Sequence, residues 1–139
     1  MLPRAATTAL FVLALALTSI AEDAPRATDP EAVQAIEKLK AGLASADSKV
    51  KREAILAAGD CCHAAVVTQL APLVREGPDD LRAAAAEAIG RMRGLPDAGK
   101  ALQVAIEPNK AKPAVMGAIV RALGSLNDLT AVPILRDQA

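Results

Sequence analysis

Three windows of ten residues line up without gaps, and they constrain the fold more than any other feature of this sequence. They are VKREAILAAG at 50–59, LRAAAAEAIG at 81–90 and VMGAIVRALG at 115–124. Positions one, five, eight and nine are apolar in every copy, and this spacing places them on one face of a helix. These residues are Val50, Ala54, Ala57, Ala58, Leu81, Ala85, Ala88, Ile89, Val115, Ile119, Ala122 and Leu123. The windows end in Gly59, Gly90 and Gly124, and glycine most easily adopts the left-handed conformation that closes a helix.

A second apolar segment follows each of these glycines. The segments are HAAVVTQLAPLVREG, PDAGKALQVAIEP and TAVPILRDQA, so the unit is helix–turn–helix, repeated at spacings of 31 and 34 residues. One such pair cannot bury its apolar face alone, whereas stacked neighbours can. Alanine favours helices, and Phe11 is the single aromatic residue, which argues against strands. We therefore predict an all-α fold, an α-solenoid of about three repeats over 29–139 that begins with an N-terminal capping helix in DPEAVQAIEKLKAGL.

Prolines mark the predicted helix boundaries. Pro78, Pro96 and Pro113 fall just before or at helix starts, and Pro133 falls in the first turn of the last helix, where a missing N–H costs nothing. Pro72 lies well inside its predicted helix. Either it kinks that helix, or the helix is simply short, and the pattern leaves both possibilities open.

The segment RALGSLNDLTAVPIL at 121–135 resembles the HEAT repeat, in the short HEAT-like form of phycobilisome lyase-type proteins. LRAAAAEAIG matches the first half of that pattern with Arg82 at its arginine, and Asp60 and Asp128 fill the aspartate of the turn. The resemblance covers about residues 47–139, and Gly117 departs from it. Tetratricopeptide and ankyrin repeats have a similar length, but their signatures are absent; another kind of α-solenoid stays open.

This resemblance implies binding of another protein and no catalysis. HEAT-like arrays grip a partner along their second helices, so the candidate protein-binding face is the polar residues Gln69, Arg75, Lys100, Gln103, Glu107 and Arg136. The competing interpretation is an ordinary solvated surface. At the C-terminal end, Val132, Ile134 and Leu135 could leave apolar surface uncovered, which predicts self-association or docking on a partner through that end.

The stretch AAGDCCHAAV at 57–66 holds both cysteines and the single histidine of the chain. A structural zinc site needs about four ligands, and three adjacent side chains diverge, so we predict no metal site. A bridge between Cys61 and Cys62 would strain the backbone, because adjacent Cα atoms lie about 3.8 Å apart. The leading interpretation is that one cysteine packs as a small apolar residue and His63 belongs to the turn. An intermolecular disulfide or a reactive thiol at Cys61 or Cys62 remains the alternative, which would make this a small thiol-dependent or redox-linked protein.

The N-terminal residues MLPRAATTALFVLALALTSIA have the three parts of a secretory signal peptide. Arg4 precedes an apolar stretch, and Ser19 and Ala21 place small residues before a predicted cleavage after Ala21. We predict a signal peptide at 1–21, a linker at 22–28, and a periplasmic or extracellular protein without a stable membrane span once the signal is removed. Retention of the segment as a membrane anchor is the alternative, although the run is shorter than a bilayer requires.

Charge and composition argue against two further classes of function. Without residues 1–21 the chain has 15 basic and 16 acidic side chains and no aromatic residue, so nothing predicts binding to nucleic acid. The sequence also lacks a phosphate-binding glycine loop, a serine elbow and a distinct pair of acids. We expect no enzyme activity and no cofactor.

Overall fold

The computed structural model describes residues 29–128 and 132–137 of the 139-residue chain. The helices are α1 (Pro30–Leu43), α2 (Ser48–Ala58), α3 (Ala64–Arg75), α4 (Asp79–Gly90), α5 (Pro96–Ile106), α6 (Pro113–Ser125) and α7 (Val132–Arg136), and a 3₁₀ turn (Glu107–Asn109) follows α5. The predicted signal peptide at 1–21 and linker at 22–28 lie outside the described residues. Within those residues, no helix is long and apolar enough to span a bilayer.

The helices form two layers, as expected for a solenoid of helix pairs. The first helices of the pairs, α2, α4 and α6, pack side by side in chain order, and α3 packs on α5 in the second layer. The most buried large side chains come from both layers and include Ile55, Leu70, Ile89, Leu102 and Ile119. Helix α1 packs mainly on α2, at the N-terminal end of the stack. The predicted all-α solenoid with an N-terminal capping helix is therefore confirmed.

Local sequence explains where the helices begin. Asp29 caps α1, because its Oδ1 accepts the N–H of Glu31 at 3.0 Å, and Asp47 caps α2 in the same way with the N–H of Lys49 at 2.9 Å. The predicted prolines stand at or next to the starts of α4, α5, α6 and α7. Pro72 lies inside α3, which continues to Arg75, so the helix is not simply short.

The left-handed conformation predicted for the window glycines is wrong. Gly59 has φ −65°, while Gly90 and Gly124 lie inside α4 and α6. The described glycines with positive φ are Gly77 and Gly94, in the connections after α3 and before α5. The window glycines are needed for a different reason, which is close contact between neighbouring repeats. A Cβ on Gly59 would lie 2.8 Å from the Cα of Ala88, and a Cβ on Gly90 would lie 2.8 Å from the Cα of Ala122.

The predicted buried face is correct in the second and third windows and partly wrong in the first. All eight predicted positions in α4 and α6 are buried. In α2, however, Val50 and Ala57 are exposed, Ala54 is half-buried, and the core residues are Ile55 and Ala58. The difference comes from the helix that packs against each window. Position eight contacts the preceding repeat, since Ala88 lies against Gly59 and Ala122 against Gly90; among the described residues α1 alone precedes α2, and its Gly42 contacts Ala54.

Candidate protein-binding surfaces

The residues predicted for the binding face divide into two groups in the structure. Gln103 is half-buried and donates from Nε2 to Asp128 Oδ2 at 2.8 Å, and Glu107 pairs with Lys110 at 2.6 Å. Both side chains therefore already have a partner within the chain. The remaining members are exposed on the second helices: Gln69 and Arg75 on α3, Lys100 on α5, and Arg136 on α7.

Two of the exposed residues lie on the second helices of adjacent repeats. Gln69 on α3 and Lys100 on α5 lie on the two packed second helices, which begin 32 residues apart, at Ala64 and Pro96. One turn later on the same helices lie Leu73 and Val104, and residues four apart share a helix face. Leu73 is half-buried and Val104 is 59% exposed. We call Gln69, Leu73, Lys100 and Val104 the second-helix face.

Sequence reasoning missed the two apolar members of this face. Leu73 and Val104 were assigned to no site, since an apolar residue in a predicted helix is first taken as core. The signal that could have found them is their spacing: each follows a polar member of the face by four residues on its own helix. The combination of exposed apolar and polar side chains is typical of surfaces that bind proteins.

A second feature is a groove of about 520 Å³ between the C-terminal halves of α4 and α6. Its floor consists of small residues, among them Gly90, Ala118 and Ala122, and its walls carry three arginines and one acid: Arg91, Arg93, Arg121 and Glu87. Arg91 donates to Glu87 at 3.0 Å and lies 3.6 Å from Asp60 of the preceding repeat. We call this site the arginine groove. The sequence alone does not predict this groove, because its arginines come from different repeats and from a turn.

The Cys-Cys-His segment forms a turn between α2 and α3. His63 is the N-cap of α3, and its Nδ1 accepts the N–H of Ala65 at 3.1 Å. Cys61 is half-buried and packs against the core, whereas Cys62 is exposed, and both thiols are free. Their placement agrees with the leading interpretation, in which one cysteine packs as a small apolar residue and the histidine belongs to the turn. Among the described residues, no three His, Cys, Asp or Glu side chains are grouped as metal ligands would be.

The environment of Cys61 disfavours its thiolate. Burial raises the pKa of the Cys61 thiol, and the nearby carboxylates of Glu31 and Asp29 raise it further, with a smaller effect of Cys62. Because the thiolate is the nucleophile, Cys61 is poorly suited to react at neutral pH. The thiol-dependent alternative therefore depends on Cys62.

We expect iodoacetamide to modify Cys62 severalfold faster than Cys61 in the folded protein at neutral pH, because Cys62 is exposed and Cys61 is half-buried. The measurement is the alkylation rate, by mass spectrometry, of the single-cysteine variants Cys61→Ser and Cys62→Ser. In urea the two variants should react at similar rates, since the difference comes from the folded environment. Equal rates in the folded protein would contradict this account of Cys61.

Comparison with known sequences agrees with this architecture. The family model described as HEAT repeats matches residues 36–110 and again residues 73–139. No curated protein and no solved structure matches the chain.

Proposed function

Since this chain belongs to the HEAT-repeat family, whose repeats generally serve as protein-interaction scaffolds, we propose that it is an exported, non-catalytic scaffold that binds another protein. The contact is made by the second-helix face. The observation that carries this assignment is the pair of exposed or half-exposed apolar residues, Leu73 and Val104, each one turn after an exposed polar residue.

The exposed side chain of Val104 costs free energy that a bound partner would recover. An apolar side chain gains about 25 cal/mol for each Å² removed from water, so an exposed valine is stabilised when a partner covers it. Lys100 and Gln69 flank the apolar residues on the helices, and such polar groups orient a partner through hydrogen bonds. Because α3 packs on α5, an elongated partner could contact both helices together.

The binding test uses a photo-crosslinking amino acid in place of Val104. We expect a crosslinked product with a protein of the exported fraction from this position, and much less from Val50, which is 41% exposed on α2 in the other layer. Both sites are exposed, so neither replacement should unfold the chain. Equal crosslinking from positions 104 and 50, or none from 104, would contradict the assignment of this face. The Cys61→Ser/Cys62→Ser variant should crosslink as well as the wild type, whereas the thiol-dependent alternative requires loss.

Export is supported by the pattern of residues 1–21. We expect a chain with a C-terminal tag to be recovered outside the cytoplasm with Glu22 as its first residue, and a variant lacking residues 1–21 to stay in the cytoplasm. Cell fractionation and mass spectrometry of the N-terminus measure this. A membrane-bound product that begins at Met1 would favour the retained anchor instead.

Self-association through the C-terminal end stays a prediction. Val132 is 53% exposed, while the side chains of Ile134 and Leu135 lie outside the described residues.

A further inference from the structure

Two of the three arginines in the arginine groove form no ion pair within the described part of the chain. Arg91 is engaged by Glu87 and Asp60. The exposed guanidinium groups of Arg93 and Arg121 have no ion pair and no hydrogen bond within the described residues, although both side chains line the groove. The lining thus has three arginines against one glutamate, on a protein whose net charge is near zero.

Arg93 and Arg121 are not needed to cap the C-terminal ends of α4 and α6. Basic side chains near a helix C-terminus often donate to its last carbonyls. Here backbone N–H groups cap both helices: the N–H of Arg91 donates to Ala88 and Ile89 at the end of α4, and the N–H of Leu126 donates to Ala122 and Gly124 at the end of α6. The guanidinium groups of Arg93 and Arg121 therefore stay available.

The shape of the groove follows from the packing between repeats. Gly90 and Ala122 bring α4 and α6 so close that a Cβ on Gly90 would lie 2.7 Å from that of Ala122. The floor is consequently made of small side chains, and the arginines rise above it from the two walls. A groove with small residues at its base and arginines at its sides leaves room for an extended chain.

We infer that the arginine groove binds an extended acidic segment of a partner protein, with Arg93 and Arg121 each pairing with an Asp or Glu carboxylate. Guanidinium groups hold carboxylates through paired hydrogen bonds, and groups without internal partners lose no ion pair on binding. This inference rests on the proposed scaffold function and adds to it the chemistry of the partner and a second contact, on the first-helix layer.

The test is fluorescence anisotropy of the purified chain with a labelled peptide of about twelve residues in which Glu and Gly alternate, at about 0.1 M salt. The peptide should bind, an equivalent peptide with Gln in place of Glu should not, and binding should weaken as salt rises. The variant Arg93→Ser/Arg121→Ser should weaken binding by roughly fivefold or more. The control Lys49→Ser/Arg52→Ser removes the same charge from exposed positions on α2 and should change binding by less than about twofold.

Three outcomes would overturn the inference. They are no binding of the Glu peptide, an equal loss in both double variants, and groove-dependent binding to vesicles of anionic lipid in place of the Glu peptide. The crosslinking from position 104 is independent of this result. If that crosslink forms and the Glu peptide does not bind, the scaffold function stands and only the acidic partner fails; if neither is seen, both fail.

Discussion

Gly90→Ala is expected to lower the free energy of unfolding by about 2–3 kcal/mol, because the added methyl group has no room. The new Cβ would lie 2.8 Å from the Cα of Ala122 and 2.7 Å from its Cβ. The first of these atoms is backbone, so relief requires α4 and α6 to move apart. This contact joins the second and third repeats, and its loss should also loosen the third repeat.

The matched control is Gly124→Ala, at the equivalent position of the third repeat. Among the described residues nothing lies within 4 Å of the Cβ it would add. Since alanine favours a helix over glycine by about 0.5–1 kcal/mol, this variant should be as stable as the wild type or slightly more stable.

Urea unfolding followed by far-ultraviolet circular dichroism measures both variants, as the chain has no Trp or Tyr for fluorescence. If both alanines had the same effect, helix propensity would explain the result and the contact between repeats would not. Gly59→Ala should behave like Gly90→Ala, because its Cβ would meet the backbone of Ala88 at 2.8 Å.

Asn109→Leu is expected to cost about 3 kcal/mol, because it removes three hydrogen bonds from a fully buried side chain of similar size. The Nδ2 of Asn109 donates to the carbonyls of Val74 at 2.9 Å and Ala105 at 2.7 Å, and its Oδ1 accepts from Nη1 of Arg82 at 2.9 Å. The Val74 carbonyl depends on this contact. The residue four positions later is Pro78, which has no N–H to donate.

The variant Arg82→Met tests the hydrogen bonds of the arginine separately from the two carbonyl contacts of Asn109. It leaves Asn109 bound to both carbonyls and removes two hydrogen bonds of the guanidinium, one to Asn109 Oδ1 and one from Nε to the exposed Gly77 carbonyl at 2.8 Å, so the loss should be about 1–2 kcal/mol. Urea unfolding of the two variants gives the comparison. A loss for Asn109→Leu no larger than that for Arg82→Met would show that the two carbonyl contacts do not matter for stability.

The hydrogen-bond network around Asn109 could not be predicted from the sequence. Arg82 was recognised as the arginine of the repeat pattern, but its partner lies 27 residues later, in a 3₁₀ turn that no periodicity predicts. The arginine groove and the second-helix face were missed for a related reason. Their members come from different repeats, and only the packing of α3 on α5 and of α4 on α6 brings them to one surface.

The window glycines show the opposite case, in which the sequence identified the right residues and the wrong cause. A glycine at the end of an apolar helix predicts a left-handed cap, since that is its most frequent use. In this fold Gly59 and Gly90 have ordinary helical conformations, and the absent Cβ matters because the next repeat lies against it. No local rule distinguishes these uses, as both demand the same residue.

The sequence by itself determined the helices, the helix–turn–helix unit and the register of the second and third repeats, because apolar periodicity and proline positions act within one segment. The tertiary structure decided which residues each neighbour covers. Val50 and Ala57 stay exposed since α1 alone precedes α2 among the described residues, and Gly124 stays open because no described residue packs on it. Whether a residue is buried depends on which helix packs against it, and the sequence of a single helix does not determine that.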